Sequence, residues 1–233
     1  MKPRLTIILT LYNVAPQYVE ECLTSLYSQT FSGFQILVID DYSSVDYSWI
    51  DNCPSCIYIR NGRNLGLCQS VNKALKLVNT EYCVRLGSDD VFAPELLEEE
   101  VKFLDCNKSY VAVCCDLQKF GESETLIKRP KRWTKTIVNN ESQIVPTYHG
   151  FGYAGGMMFR TSVLEDCRIK ENYPCCEDFD FHLQLLEHGH IQSLPEALYF
   201  YRSHRSNYCK NFGRNTKLKI LTEILKEHEL FYV

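Results

Sequence analysis

The sequence lacks both a strong excess of charge and a long apolar run. Its 233 residues include 25 Lys and Arg against 29 Asp and Glu, which gives a formal net charge of −4. Such a chain has no overall field to attract a polyanion, so we expect no nucleic acid partner. No apolar run approaches the roughly 20 residues that cross a bilayer. We therefore expect no transmembrane segment, which leaves peripheral contact with a membrane open.

The first residues also lack the features of an export signal. A short apolar stretch follows Arg4, but no small-residue cleavage site comes after it, and Asn13 and Pro16 interrupt it. We interpret this stretch as a first β-strand and expect a cytoplasmic protein. No internal repeat, low-complexity tract or shift of composition marks a linker. We therefore expect residues 1–233 to form one domain.

Cysteine is the residue type that the sequence has in excess, with 12 residues. In a chain of this length without an export signal, reduced thiols are expected. Cys53 and Cys56 form the one CxxC pair. A zinc site usually needs a second pair of ligands, and none stands at a fitting spacing. A structural or incidental role is favoured for both residues, with a zinc or redox module as the alternative.

The first half of the chain alternates short apolar runs with helical patterns. Strands are predicted at Leu5–Leu9, Phe34–Ile39, Ile57–Ile59 and Tyr82–Leu86, and helices at Ala15–Thr30, Leu67–Val78 and Glu95–Leu104. Alternation of this kind predicts an α/β fold, in which helices flank a mostly parallel, Rossmann-like central sheet.

The second half is less regular. Strands are predicted at Val111–Cys115, Ala154–Phe159, His190–Ser193 and Ala197–Tyr201, and helices at Glu177–Glu187 and Lys217–Leu230. The basic stretch Lys128–Trp133 is more typical of a solvated loop than of a site for acceptor phosphates. The aromatic stretch Tyr148–Tyr153 is more typical of core packing than of sugar stacking.

Polar residues follow three of the predicted strands directly. Tyr12 and Asn13 come after the first strand, an acidic pair ending in Asp41 after the second, and Asp89 and Asp90 after the fourth. Ligands of open α/β sheets bind outside the carboxyl ends of the strands. The topology therefore predicts a site where these three clusters converge.

Five short motifs in this order give the chain a resemblance to a known family. They are Tyr12-Asn13, Asp40-Asp41, Asn64-Leu-Gly66 with Asn72, Glu177-Asp178, and Tyr201-Arg202-Ser-His204. Together they cover about residues 4–206, and they resemble the GT-A glycosyltransferases of family 2. The resemblance implies a GT-A fold, with residues 1–116 binding the nucleotide-sugar and residues 117–233 supplying the acceptor site and the catalytic base.

The implied reaction is transfer of a sugar from a nucleotide-diphosphate donor to a glycan or glycolipid acceptor, with inversion. The family neutralises the leaving diphosphate with a divalent cation, Mn²⁺ or Mg²⁺, held by an Asp-x-Asp loop. That loop corresponds to Gly87-Ser-Asp89, so Asp89 matches a metal ligand while the first acid is missing. In one interpretation the neighbouring Asp90 compensates for this missing acid. His204 matches a family histidine that lies near the diphosphate and also binds metal.

The resemblance further implies the residues around the nucleotide. Thr10, Tyr12 and Asp41 match the base-binding residues. A tyrosine stacks on a base, and an aspartate accepts a hydrogen bond from a pyrimidine N3–H. This pattern favours a UDP- or TDP-type donor. The other candidates for nucleotide contacts are Asn13, Asn64, Asp90 and Arg202.

Asp178 is the candidate catalytic base, because an attacking acceptor hydroxyl must lose its proton to a nearby carboxylate. Glu177 beside it is a candidate for orienting the acceptor. In isolation, both acids are also explained by a helix N-terminus, whose dipole they offset.

Three alternatives stay open. A sugar-nucleotide nucleotidyltransferase shares the sheet and the metal, but it requires a Gly-rich loop after the first strand, which is absent here. A catalytically inactive relative that binds nucleotide or glycan as a scaffold is favoured by Gly87 and by Gln184, which stands where the family has an arginine. The zinc or redox module depends on Cys53 and Cys56 alone.

Overall fold

The computed structural model describes residues 2–133 and 155–230. The aromatic stretch Tyr148–Tyr153 lies outside the described residues. The strands are β1 Leu5–Leu11, β2 Phe34–Asp40, β3 Cys56–Arg60, β4 Tyr82–Gly87, β5 Val91–Phe92, β6 Tyr110–Gly121, β7 Thr125–Ile127, β8 Arg132–Trp133, β9 Met157–Arg160 and β10 His190–Ser203. The helices are α1 Pro16–Tyr27, α2 Leu67–Leu77, α3 Leu96–Cys106, α4 Glu177–His188 and α5 Arg214–Glu227.

All ten described strands join one sheet. Its order is β3-β2-β1-β4-β9-β6-β10-β5, with β7 on β6 and β8 on β10. The pairs β1–β2, β1–β4, β2–β3 and β6–β10 are parallel, whereas β9 runs antiparallel to both β4 and β6. The first four strands therefore form the predicted parallel sheet, and the complete sheet is mixed because β9 reverses the chain within it.

Each face of the sheet carries its own apolar core. Because side chains alternate along a strand, Leu5, Ile7 and Leu9 of β1 join the core under α1 and α3. Ile8 of the same strand joins the core under α2, α4 and α5. The sheet is thus covered on both sides, which places ligand access at the ends of its strands.

The predicted strands His190–Ser193 and Ala197–Tyr201 are one strand in the structure. β10 runs on through both of them, and its register with β6 shifts between Leu194 and Ala197. Pro195 lies in that interval, and proline donates no ladder hydrogen bond. The gap between the two predicted strands is therefore an irregularity inside one strand, not a turn.

Two other predictions differ from the structure in the second half. The strand expected at Ala154–Phe159 is β9, Met157–Arg160, and Ala154 itself lies outside the described residues. The basic stretch Lys128–Trp133 is not simply a solvated loop, because Arg129 and Trp133 are buried and its last two residues form β8. No helix among the described residues is long and apolar enough to cross a membrane.

Candidate active site

The carboxyl ends of β1, β2 and β4 bring three of the predicted clusters to one edge of the sheet. Thr10 at the end of β1 pairs in register with Gly87 at the end of β4. On the other side of β1, Leu11 pairs with Asp40 of β2. The Ser88 hydroxyl donates to the Thr10 carbonyl at 2.9 Å. The convergence expected from topology is therefore present.

Tyr12 leaves β1 with its side chain 55% exposed at this edge. A large exposed aromatic beside a strand end is available for stacking on a flat ligand. Asn13 follows with a positive φ of 53°. Its Oδ1 accepts from the Ser44 backbone N–H at 2.7 Å, and this bond ties the loop after β1 to the loop after β2. Asn13 thus shapes the loop that presents Tyr12.

Asp41 is buried and has three hydrogen-bond donors around its carboxylate. Asn61 Nδ2 and the Leu65 backbone N–H donate to Oδ1, and the Gly66 backbone N–H donates to Oδ2, each at 2.8 Å. Gly66 has a φ of 86°, which a residue with a side chain rarely adopts, and this turn aims its N–H at the carboxylate. Asn64 lies on the same loop, and its Nδ2 is 3.4 Å from the Asp41 carbonyl. Asp41 therefore organises the loop before α2.

Asp89 and His204 meet across the site. Asp89 Oδ2 lies 2.8 Å from His204 Nε2, and both side chains are partly exposed. The other ring nitrogen, Nδ1, lies 2.9 Å from Ser206 Oγ, which orients the imidazole. The structure thus brings together the two residues predicted to bind metal, although they are 115 positions apart in the chain.

The Asp89–His204 pair fits a divalent cation only as part of a larger ligand set. A carboxylate oxygen and an imidazole nitrogen are both suitable ligands for Mn²⁺. No group of three His, Cys, Asp or Glu side chains that could hold a metal occurs in residues 2–133 and 155–230. The remaining ligands would have to come from water and from the oxygens of a bound phosphate group, as is usual where a cation is held with its substrate.

Asp90 does not face open space, in contrast to the prediction that it contacts the nucleotide. It is 2% exposed, its Oδ2 accepts from the Tyr199 hydroxyl, and its Oδ1 accepts from the Arg202 backbone N–H at 2.7 Å. Burial, reinforced by the neighbouring charge of Asp89, raises the pKa of the Asp90 carboxyl well above its usual range. The Asp90 side chain points inward because β10 supplies two hydrogen-bond donors to it.

Arg202 is also largely enclosed. Its Nε donates to the Asp89 carbonyl at 2.7 Å, and its Nη2 is paired with Glu21 on α1. The guanidinium lies 4.3 Å from the Tyr18 ring centroid and 4.5 Å from that of Phe120. These contacts hold the loop of Asp89 against β10, whereas the sequence made Arg202 a candidate for contact with the nucleotide.

Glu177 and Asp178 form the first turn of α4, as predicted, and both are buried. Cys176 at the helix N-cap has a φ of 63°, in the left-handed region, so the chain turns sharply into the helix. Glu177 Oε1 lies 3.7 Å from Arg85 Nη2 on β4. This ion pair places the first turn of α4, with Asp178, beside the carboxyl end of β4.

Sequence reasoning missed four residues of this site: Tyr18, Glu21, Arg85 and Tyr199. Tyr18 and Glu21 share one face of α1, three positions apart, where they contact Arg202. Arg85 is a charged residue inside an otherwise apolar strand, which is a signal that the sequence did contain. Tyr199 had no such signal, because aromatic residues are common in strands.

The cysteines give no support to the zinc or redox alternative. All 12 are free thiols, including Cys53 and Cys56. Cys56 Sγ lies 3.4 Å from the Tyr27 hydroxyl, and Cys53 Sγ is 3.8 Å from the Trp49 carbonyl. Burial raises the pKa of Cys56, which opposes formation of the thiolate that metal binding needs.

Comparisons with known proteins agree with the geometry of the site. Residues 6–168 match the family model described as Glycosyl transferase family 2. An uncharacterized glycosyltransferase of Haemophilus influenzae is 26% identical over 243 residues, which cover 99% of this chain and 75% of that protein.

Two solved structures share the fold. TarS 1–349 of S. aureus, in complex with UDP-GlcNAc, has a TM-score of 0.76 at 19% identity, covering 98% of this chain and 66% of that one. The mannosyltransferase PcManGT from Pyrobaculum calidifontis, in complex with GDP-Man and Mn²⁺, has a TM-score of 0.65 at 17% identity, covering 97% of this chain and 70% of that one. The predicted α/β fold of GT-A type is thereby confirmed.

Proposed function

The chain belongs to glycosyl transferase family 2, and we propose that it moves a sugar from a UDP- or TDP-type donor to a hydroxyl of a glycan or glycolipid. The observation that carries the proposal is the 2.8 Å approach of Asp89 to His204 at the sheet edge where Tyr12 and Asp41 also lie. Ligand sites of such sheets are found at this edge. A donor bound to TarS, UDP-GlcNAc, supports the uridine type, while PcManGT binds a guanosine donor.

The nucleotide end of the proposed site is the surface formed by Tyr12 and the loop that Asp41 organises. Tyr12 stacks on the base and Thr10 lines the end of β1. Asp41 is buried with three internal donors, so it supports this surface by holding the loop that carries Asn64. Asn13 and Asn64 hold the two loops in place. The internal bonds of Asp41 make this loop rigid, which favours discrimination between bases.

The diphosphate end lies at Asp89 and His204. A divalent cation bound there, Mn²⁺ or Mg²⁺, would neutralise the charge that develops on the leaving diphosphate. Imidazole is a better ligand for Mn²⁺ than for Mg²⁺, so His204 favours manganese. Arg202 acts through Asp89: its bond to the Asp89 carbonyl and its pairing with Glu21 keep that carboxylate directed at His204.

Asp178 is the proposed base. The acceptor hydroxyl attacks the anomeric carbon on the face opposite the diphosphate, its oxygen forms the new glycosidic bond, and Asp178 takes its proton while the bond to the nucleoside diphosphate breaks. Attack from the opposite face inverts the anomeric centre. Support comes from the Arg85–Glu177 pair, which brings the first turn of α4 to the end of β4, four residues before Asp89.

The test is release of nucleoside diphosphate from a panel of UDP-, TDP- and GDP-sugars with Mn²⁺, Mg²⁺ or EDTA. We expect slow, metal-dependent hydrolysis of one uridine or thymidine donor by the natural chain. Asp178→Asn should lower that rate at least about 100-fold. Asp51→Asn changes an exposed acid outside the proposed site; it is the control and should not change the rate.

A second function is favoured by one specific observation. Gly87 removes the first acid of the family's metal loop, so a non-catalytic chain that binds a nucleotide-sugar as a scaffold is the competing proposal. Tight donor binding with no turnover in the presence of glycan acceptors would favour the scaffold over the enzyme.

A further inference from the structure

Asp180 is a fully buried acid at the start of α4 that has no part in the proposed reaction. It follows Asp178 by two positions, and residues so spaced on a helix do not share a face. Asp180 Oδ1 lies 3.0 Å from Lys170 Nζ and 2.9 Å from His228 Nε2. Asp180 Oδ2 accepts from Gln184 Nε2 at 2.5 Å. Both carboxyl oxygens are therefore bonded, on a face of the helix that Asp178 does not share.

The negative charge of Asp180 is matched from two other parts of the chain. Burial alone would raise the pKa of Asp180, but hydrogen bonds from His228 and Lys170 outweigh it and lower the pKa below its usual range. Asp180 is thus a buried carboxylate, which is costly unless it is paired. Lys170 lies between β9 and α4, and His228 directly follows α5. The pairing therefore joins three separate segments at one point.

Gln184 lies on the same face of α4 as Asp180, four positions further along. The family has an arginine at this position, and from there its guanidinium would reach the same carboxylate. Glutamine gives the carboxylate a hydrogen bond but no charge. The Gln184 amide instead accepts from the Arg168 backbone N–H at 3.0 Å and donates to the Arg168 carbonyl at 2.9 Å. The cation for Asp180 therefore comes from outside the helix in this chain.

Lys170 also bonds to the C-terminal helix. Its Nζ lies 2.5 Å from Glu227 Oε2, and Glu227 is the last residue of α5. Lys170 thus stands between one carboxylate on α4 and another at the end of α5, next to His228. A cation within α4 would neutralise Asp180 without any contact to α5. The external cation has the further effect of fastening the two helices together.

We propose that Lys170, with His228, is a positioning residue for the helix that carries the base. The two side chains supply the positive charge that an arginine at position 184 would supply from within α4, and they fix α4 to the end of α5. The inference rests on the proposed function, because α4 matters to the reaction through Asp178. Gln184 is then not the mark of an inactive relative, because the cation has moved and has not been lost.

The experiment measures donor hydrolysis and the melting temperature of Lys170→Met, alone and combined with Gln184→Arg. Lys170→Met should lower kcat by about 10-fold, because Asp178 shifts with α4. It should change the KM for the donor by less than about twofold, because the nucleotide end of the site is built on other elements. Adding Gln184→Arg should recover both kcat and the melting temperature. Lys170→Arg should keep them, and Lys219→Met, which changes an exposed lysine of α5, is the control.

Two results would overturn the proposal: an unchanged kcat in Lys170→Met, even with a lower melting temperature, or no recovery on adding Gln184→Arg. If Lys170→Met does not fold, His228→Gln takes its place, because glutamine bonds to Asp180 but carries no positive charge. His228→Gln should lower kcat, and an unchanged kcat there would also overturn the proposal.

Absence of donor hydrolysis by the natural chain would be a different result. It would refute the proposed function, and the positioning role with it. Recovery of the melting temperature by Gln184→Arg would still decide whether the two cations replace each other at Asp180.

Discussion

Arg85 and Glu177 form an ion pair, with Nη2 of the arginine 3.7 Å from Oε1 of the glutamate, between β4 and the first turn of α4. Both side chains are largely enclosed. Arg85 Nη1 is covered and has no hydrogen-bond partner among the described residues. The pair therefore links the strand that leads to Asp89 with the turn that carries Asp178, and it holds the two ends of the proposed reaction together.

Arg85→Met should impair both stability and turnover. The substitution keeps the volume of the side chain but leaves the Glu177 carboxylate buried without its cation. We expect a loss of stability on the order of 1–3 kcal/mol and a fall in donor hydrolysis of about 10-fold. Denaturant unfolding and diphosphate release measure the two effects. Lys102→Met, which removes the cation of an exposed pair with Glu99, should change neither. Adding Glu177→Gln to Arg85→Met should recover part of the stability, because the buried carboxylate is then neutral. No recovery would mean that Arg85 does not stabilise the chain through its ion pair with Glu177.

His204→Ala should raise the Mn²⁺ concentration needed for donor hydrolysis. The imidazole is one of two protein ligands in the proposed cation site, so its loss should weaken Mn²⁺ binding by about 10- to 100-fold. The measurement is the Mn²⁺ dependence of diphosphate release at saturating donor. His188→Ala, at the exposed last turn of α4, serves as the control. An unchanged Mn²⁺ dependence would place the cation elsewhere.

Tyr12→Ala should weaken the binding of UDP without unfolding the chain. Tyr12 is more than half exposed, so its removal costs little core packing, whereas base–aromatic stacking contributes about 1–3 kcal/mol, or roughly 5- to 150-fold in affinity. Calorimetry with UDP measures the effect. Tyr27→Ala removes another exposed tyrosine, from α1, and is the comparison. Equal losses in the two variants would show that Tyr12 contributes no specific contact with the base.

The sequence predicted the strand ends that meet at this edge of the sheet, but not how the side chains there are held together. The apolar runs before Tyr12, Asp41 and Asp89 predicted that these residues lie at one edge of the sheet, because a strand is a local pattern and strand–helix alternation predicts parallel strands. The inward turn of Asp90 depends on donors from β10, which is more than 100 residues away in the chain. No pattern within the loop itself contains that information. The continuous β10 was missed for a similar reason, since pairing with β6 carries the strand past Pro195.

Glu100 provides a test of the core far from the proposed reaction. This side chain of α3 is fully buried, and neither carboxyl oxygen has a hydrogen-bond partner among the described residues. Burial raises the pKa of Glu100 well above its usual range, and the charge of Arg129 only partly opposes the rise. The folded chain therefore keeps a proton that the unfolded chain releases above its ordinary pKa of about 4.5.

The sign of the resulting pH dependence follows from that difference. Above the unfolded pKa the unfolded state binds fewer protons than the folded state, so stability should fall as the pH rises from about 4.5 toward the folded pKa. Glu100→Gln keeps the shape and removes the titration, so the variant should gain stability relative to the natural chain as the pH rises from about 4.5 toward the folded pKa. Denaturant unfolding at several pH values measures the gain. Glu99→Gln, on the exposed face of the same helix, should show no such trend, and a flat difference between Glu100→Gln and the natural chain would mean that Glu100 is ionised in the folded state.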